Sequence, residues 1–595
     1  MSDDYQYIHK SKIPTMHFQK SLLRLPIPAL DKTCERYLRS QKVILSSEEY
    51  QRTEKFVTQF REGVGPTLQF QLKDIDKANK HTSYISGPWF DMYLSDRVPV
   101  VLNYNPFLGF HPEERPGLSD PVIRVTNTLV SSLRFMRTLR ENVLEPVVYH
   151  LNPAKSDTLM FRRIARWTPS AISSYAAYAQ KASAFPLDMS QFGSMFNSTR
   201  IPKLGKDILR ADPKARHVLI MKNGHFYVFD VFDKDGNILS PEHIHACVSY
   251  IYNDQIPPAK RSIAIFTTEN RDTWAKCREE LVEAGNEATL DVLDTAAFNI
   301  VFDETVLGDD HEKMYHTFLH GDGNNRWFDK SFSLICTADG QLALNFEHSW
   351  GDGVAVVNYH TEVAKDIAKR PSVNSDSRPA PIDASQLVRR LGMLSLCEVL
   401  RFKDCRGWYH YGGAAYYFQN GESAATYESC STSAFKHGRT ETIRPATLET
   451  LAFCKAIAQA QPPNHSELKN LLNECSKMHG SLTKEAAMGQ GFDRHLFALR
   501  KLAEASGSPM PDIFTDPAYA KINHIIISTS TLPSEEISFG GFAPVVSDGF
   551  GVGYIIRDDE LGCTVSTYPP HCDGADFLEC ANKAYQIIKD VLTKE

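Results

Sequence analysis

Val122, Val125, Leu129, Leu133, Met136 and Val143 recur at three- to four-residue spacing, which predicts one amphipathic helix over 120–145. Upstream, residues 20–80 also read as helical, opening on the proline-punctuated Leu25-Pro26-Ile27-Pro28. Further along, the pattern changes to strands. His217 to Met221 and Phe226 to Phe229 flank Asn223-Gly224, the dipeptide that a tight hairpin turn favours because both central residues need positive φ. A second hairpin pairs Phe332 to Cys336 with Gln341 to Phe346 across Ala338-Asp339-Gly340. Helical and strand patterns therefore mix along one α/β chain.

At 595 residues, 42% hydrophobic and 23% charged, the chain has material for two large domains or several small ones. A net charge of -7 without long like-charge runs gives no electrostatic footprint for nucleic acid. The twelve cysteines, Cys34, Cys247 and Cys430 among them, show no metal-ligand or redox spacing, so they read as reduced thiols and no metal site is expected. No stretch reaches the ~18 consecutive apolar residues of a spanning helix. The start, Met1-Ser2-Asp3-Asp4, is acidic and lacks the Arg/Ser-rich amphipathic character of a transit peptide. Ser372 to Pro381 reads as a linker or domain crossing. Between Phe161 and Phe192, Arg162, Arg163 and Arg166 interleave with Trp167, Tyr175 and Tyr178, a mixture that suits a membrane interface and equally suits a helical hairpin packed on a core.

The candidate chemistry lies at the end of the second hairpin. Alternation through Leu342, Leu344 and Phe346 carries to His348 and places it at a strand end, pointing inward. The turn Ser349-Trp350-Gly351-Asp352-Gly353 then returns a carboxylate four residues beyond the imidazole. A neutral imidazole is the natural base for removing a proton from a hydroxyl or a thiol. Transfer of an acyl group from a thioester to an alcohol needs such a base and no serine nucleophile. Among 21 histidines, a structural histidine held by Asp352 is the alternative.

Asn345-Phe346-Glu347-His348-Ser349-Trp350-Gly351-Asp352-Gly353, preceded by His320-Gly321-Asp322-Gly323 and by Arg326-Trp327-Phe328-Asp329-Lys330-Ser331, resembles the carnitine/choline acyltransferase family. Further blocks agree along almost the whole chain: Leu25 to Pro28 with Arg36-Tyr37-Leu38, Tyr427 to Ser431 running to Arg439-Thr440-Glu441-Thr442-Ile443-Arg444, and Ser528-Thr529-Ser530 followed by Gly541 to Gly549.

The resemblance implies two chloramphenicol-acetyltransferase-like α/β domains, each a mixed β-sheet flanked by helices, with an active-site tunnel at their interface. The first, 100–385, would carry the catalytic histidine and a membrane-associating insert at 157–190; the second, 16–99 plus 386–595, would carry the carnitine-binding residues. It implies reversible transfer of a long-chain acyl group such as palmitoyl between CoA and carnitine, both substrates, with no cofactor, in support of mitochondrial fatty-acid oxidation. His348 would be the base, Ser530 the oxyanion donor, and Asp352 would pair with Arg439 to position the loop. Arg494 in Gly491-Phe492-Asp493-Arg494-His495 matches the family's carboxylate-binding arginine, where choline enzymes carry an amide; Tyr427, Ser429, Thr440 and Ser528 match the other carnitine contacts. Gly540 aligns with a bulky methionine of short-chain members and would leave an acyl channel open. Peripheral association with the matrix side of the mitochondrial inner membrane follows from the same resemblance. A medium- or short-chain carnitine acyltransferase and a non-catalytic carnitine-binding protein stay open beside it. The chain departs from the family between His348 and Tyr427: the longer stretch with a lysine-rich motif before Ser-Pro-Asp, which binds CoA phosphates, has no counterpart, and Lys403 or Arg406 are the substitutes within reach. No CoA-binding residue is assigned.

Overall fold

The computed structural model describes residues 3–179, 184–260, 262–392, 412–531, 534–557 and 561–593; Lys403 and Arg406 lie outside them. The chain divides into two compact units, one of residues 1–22, 90–404 and 532–542, the other of 23–89, 405–531 and 543–595.

The first unit is built on an eight-stranded mixed sheet in the order Arg389–Leu391, His225–Asp230, His217–Lys222, Asn299–Asp303, Phe332–Thr337, Leu342–Phe346, Phe107–Phe110, Ile537–Gly541. The strand Asn299–Asp303 runs parallel to both neighbours, and the other pairings are antiparallel. Both expected hairpins form. Lys222 pairs with His225 across Asn223 and Gly224, whose φ values of 53° and 75° are the two positive angles such a turn needs. Cys336 pairs with Leu342, and Gly340 supplies φ 76° in the loop between them.

Cross-strand pairing sorts the side chains onto two faces. Phe346 opposes Phe332 and Leu344 opposes Leu334 on one face, where Phe332 packs against Tyr359 of the helix Gly353–Lys369. Tyr359 in turn meets Phe135 and bonds Ser132 of the helix Pro121–Arg140 at 2.6 Å. That helix stops at Arg140, short of the 145 expected: Asn142 takes φ 58° and Val143 and Leu144 fold back to donate to the Thr138 carbonyl. The opposite face carries Phe107, packed on Tyr315 and Phe318 of the helix His311–Leu319.

The conspicuous Arg326 to Ser331 block is a scaffold for this sheet. Arg326 reaches Asp303 at 2.6 Å, Ser331 donates to the Met195 carbonyl, and buried Lys330 donates to Thr199 and to the Asp294 carbonyl. Complete burial pulls the Lys330 amine down to about 7.

The segment 157–190 is a small subdomain of the same unit. Its base is a two-stranded sheet, Val148–His150 with Ala184–Pro186. The helices Leu159–Trp167 and Ser173–Ala179 turn Phe161, Ala165 and Ala177 onto Ile13, Phe18 and Ala184. Leu159, Met160, Trp167, Ile172 and Tyr175 face out, Trp167 with 80% of its surface exposed. No described helix is long and apolar enough to cross a membrane.

The second unit holds a five-stranded mixed sheet ordered Thr440–Ile443, Thr426–Ser431, Ile527–Thr531, Phe550–Ile556, Leu561–Ser566. One face, with Ile527, Phe550, Val552 and Val565, is closed by Phe577 and Ala581 of the helix Gly574–Thr593. Helices at Leu30–Gln41, Ser47–Glu62 and Gly65–Ala78 account for the helical reading of 20–80.

Candidate active site

His348 stands two residues beyond the strand Leu342–Phe346, with 26% of its side chain exposed. The Tyr93 ring lies nearly parallel to the imidazole, centroids 5.6 Å apart, and Phe346 lies at 5.5 Å. Asp352 comes back as expected: its Oδ1 is 3.6 Å from His348 Nδ1. That distance is beyond a hydrogen bond. Gln191 holds Asp352 from two sides, its Nε2 donating to Oδ2 at 3.0 Å and its Oε1 accepting the Asp352 N–H at 2.7 Å. Gln191 lies just past the segment 157–190, and nothing in its sequence setting marked it as a partner of Asp352.

Beneath this loop lies a buried ion network that periodicity did not disclose. Glu347, fully buried, accepts from Arg200 Nη1 at 3.1 Å, and its other oxygen accepts from the Ser349 N–H at 3.1 Å and the Ser349 hydroxyl at 2.5 Å. Arg200 Nε donates to Asp207, which also takes Arg271 and Arg97; Arg271 donates onward to Asp329, and Trp274 Nε1 donates to the other Asp329 oxygen. Burial works against the Arg200 charge, and Glu347 and Asp207 outweigh it, holding the guanidinium protonated above its usual range. Arg97 also reaches Asp272 at 3.3 Å, so each buried charge of the network faces an opposite one and is hydrogen-bonded, the condition under which buried charge is tolerated.

In the second unit, the carnitine-set residues fall together on one sheet face. Tyr427 opposes Ser528 and Ser429 opposes Thr442, so Tyr427, Ser429, Thr440, Thr442, Ser528 and Ser530 all project from the side opposite the core. Ser528 and Ser530 oppose Gly551 and Gly553, which leave the surface beside the two hydroxyls without side chains. Thr440–Ile443 is an edge strand, and Arg494, in the first turn of the helix Asp493–Ala505, comes against it. Its Nε donates to the Thr440 carbonyl at 2.7 Å, Nη1 to Thr442 Oγ1, and Nη2 to Tyr427 Oη and Thr440 Oγ1, the last three at 3.1 Å. Below, the guanidinium rests 3.8 Å from the Trp89 ring centroid.

Each residue of Gly491 to His495 has a place in this arrangement. A Cβ on Gly491 would sit 2.4 Å from Glu441, whose carboxylate accepts the Thr442 and Arg494 N–H groups. Burial raises the Glu441 carboxyl above its ordinary range, opposed by Arg494. Phe492 packs on Tyr37, Asp493 pairs with Arg444 at 2.5 Å, and His495 bridges Thr33 and Gln69 at 2.7 and 2.6 Å. Because Tyr427 and Thr440 accept from a cation, their hydroxyl hydrogens are turned away from it, polarised and available to an anion.

Arg439 is buried on the turn that leads into Thr440–Ile443, where the Thr432 N–H donates to its carbonyl at 2.9 Å. Gly540 opposes Leu108, which opposes Leu344, so it belongs to the Phe346 face of the first sheet. A Cβ there would meet Leu108 Cδ2 and the Phe107 carbonyl at 3.0 Å. Trp89, Thr442 and Glu441, which complete the surroundings of Arg494, carried no functional reading in the sequence.

The sequence model of the choline/carnitine O-acyltransferase family matches residues 25–392 and 413–583. Human mitochondrial carnitine O-palmitoyltransferase 2 is 49% identical over 625 aligned positions, covering 99% of this chain and 94% of the relative. The Xenopus tropicalis protein of that name is 47% identical, covering 99% and 95%. Rat carnitine O-acetyltransferase is 28% identical, covering 92% and 90%. With its motifs embedded in these two mixed sheets and a family match across nearly its whole length, the chain belongs to the choline/carnitine O-acyltransferase family.

Proposed function

We infer that the protein catalyses reversible transfer of a long-chain acyl group between CoA and carnitine, palmitoyl-CoA plus carnitine giving palmitoylcarnitine plus CoA, in support of mitochondrial fatty-acid oxidation. The observation that carries this reading is the 48–49% identity, along nearly the whole chain, with relatives named carnitine O-palmitoyltransferase 2, mitochondrial. The residues give it a mechanism. Carnitine's carboxylate takes the hydroxyls of Tyr427 and Thr440, polarised by Arg494, with Ser429 and Ser528 beside them. His348 removes the proton from carnitine's hydroxyl, whose oxygen attacks the thioester carbonyl. The tetrahedral oxyanion is met by Ser530, a contribution of ~3 kcal/mol for a placed donor. The intermediate collapses with loss of the CoA sulfur, which takes the proton from His348. Asp352, with Arg439 as its partner, keeps the His348 loop in place, and Gly540 leaves room for the acyl chain.

The same reading makes each unit a chloramphenicol-acetyltransferase-like domain, with a tunnel at their interface as the place where both substrates meet. Its support is chemical: the base belongs to one unit and the carnitine set to the other. It also places the protein against the matrix side of the mitochondrial inner membrane through the exposed apolar and basic residues of 157–190.

Carnitine-dependent appearance of free thiol from palmitoyl-CoA tests the assignment. Replacing His348 with alanine should lower kcat roughly 100- to 10,000-fold, the usual worth of a general base, with the melting temperature and carnitine binding unchanged. Normal turnover in that variant would remove His348 from the mechanism. Turnover of acetyl-CoA in preference to palmitoyl-CoA would move the assignment to the short-chain branch, and carnitine binding without turnover would leave a binding protein.

A further inference from the structure

We propose that Arg200 is the positioning residue of the His348 base, a role that rests on the catalytic reading above. A general base works only if its ring is held in register with the proton it removes. His348 lies on a loop after a strand, where no sheet ladder fixes it. The buried guanidinium of Arg200, on the strand Ser198–Ile201, supplies a constraint from two directions.

Its Nη1 fixes the Glu347 carboxylate, which binds both the N–H and the hydroxyl of Ser349 and so sets the peptides on either side of His348. Its Nη2 donates to the Tyr93 carbonyl at 2.6 Å, and the Tyr93 ring lies within 8° of parallel to the imidazole. Nε, bound to Asp207 at 2.8 Å, anchors the fork in the ion network described above. A planar, five-donor guanidinium holds three well-separated acceptors in fixed directions, whereas an ammonium's three donors radiate from one rotating nitrogen. The chain spends a buried cation at a place where packing alone would have been less costly, and the two contacts left over from Asp207 both lead to His348.

The test uses Arg200→Lys and Glu347→Gln in the full-length protein, with Arg326→Lys as control for loss of a buried arginine that serves only the scaffold. Positioning predicts a kcat loss of roughly 10- to 100-fold, the scale of a misalignment of about an ångström, with KM for carnitine and for palmitoyl-CoA within about twofold. It also predicts a displaced pH profile of kcat. Independently of turnover, carbethoxylation of His348 by diethyl pyrocarbonate, mapped by mass spectrometry across pH, should change in rate and midpoint in both variants. The exposed His479 and His524 should react as in the wild type, and Arg326→Lys should leave His348 unchanged while lowering the melting temperature. Unaltered His348 reactivity in folded Arg200→Lys and Glu347→Gln overturns the proposal. If Arg200→Lys does not fold, Glu347→Gln and Ser349→Ala, which cuts one bond of the same relay, decide it by the same readouts. Altered His348 reactivity in a protein whose wild type transfers no acyl group would keep the positioning role and dismiss the catalytic one.

Discussion

In the mechanism proposed above, one side chain, Arg494, selects the alcohol. Its Nε, Nη1 and Nη2 all donate within the second unit, so its charge reaches a ligand largely through the hydroxyls of Tyr427 and Thr440. A hydroxyl bonded to a cation is a stronger donor, and hydrogen bonds of this charged kind are worth about 1.5–3 kcal/mol. Arg494→Gln should therefore raise KM for carnitine roughly 10- to 150-fold, with a much smaller effect on choline, which has no carboxylate to lose. Comparing kcat/KM for the two alcohols checks this, and an unchanged carnitine KM would place the carboxylate elsewhere. At this scale the approach of Asp352 to His348 and the grouping of Arg494 with Tyr427 and Thr440 were legible, because each of these residues stands in a motif. Their supports were not. Arg200 precedes the glutamate it binds by 147 residues, and Trp89 precedes Arg494 by more than four hundred; no spacing rule connects residues that only tertiary packing brings together.

Two adjacent glycines divide the work of one strand between the faces of the first sheet. Gly541 opposes Phe107, and a Cβ on it would fall 2.3–2.5 Å from the Tyr315 ring, which is pinned by its hydroxyl bond to the Phe542 carbonyl at 2.9 Å. Gly540 meets nothing closer than 3.0 Å. Gly541→Ala should cost about 1–3 kcal/mol through overpacking, read as a lower melting temperature with chain-length preference unchanged. Gly540→Met should do the reverse, sharply reducing kcat/KM for palmitoyl-CoA relative to acetyl-CoA while destabilising less. Equal effects of the two on the substrate ratio would dismiss Gly540 as the channel residue. The strands and both hairpins were readable at this scale because alternation and the Asn223-Gly224 turn are local signals. The edge placement of Ile537–Gly541 on Phe107–Phe110 was not, since it joins segments more than four hundred residues apart. The end of the helix at Arg140 was missed because apolar spacing continued to Val143 after the backbone had turned.

Across the whole molecule, the family match breaks between 392 and 413, and 625 aligned positions span a chain of only 595 residues, so the human relative has at least 30 positions without a counterpart here. The lysine-rich motif that the resemblance implies for the phosphates of CoA has no counterpart between His348 and Tyr427, so the proposed reaction calls for cations from elsewhere. A bilayer would give the long acyl chain a route that does not depend on those contacts, and the subdomain at 157–190 has the surface for it. Leu159, Met160 and Trp167 end one short helix with at least 70% of each side chain exposed, while Phe161 and Ala165 of the same helix hold it to the unit. Exposed Arg163 and Arg166 flank them, and Arg166 lies against the Trp167 ring. Burying a large apolar side chain contributes about 1.5–3 kcal/mol, so Leu159→Glu with Trp167→Glu should weaken partition onto vesicles roughly 100-fold or more. Flotation with vesicles containing cardiolipin is the measurement, and added salt should weaken the wild type as well if the arginines assist. The double variant should melt at the wild-type temperature, because neither side chain belongs to the core, and should turn over octanoyl-CoA in solution at an undiminished rate. Equal flotation of wild type and variant would mean that this face does not meet the membrane, and the exposed apolar residues would then need another partner.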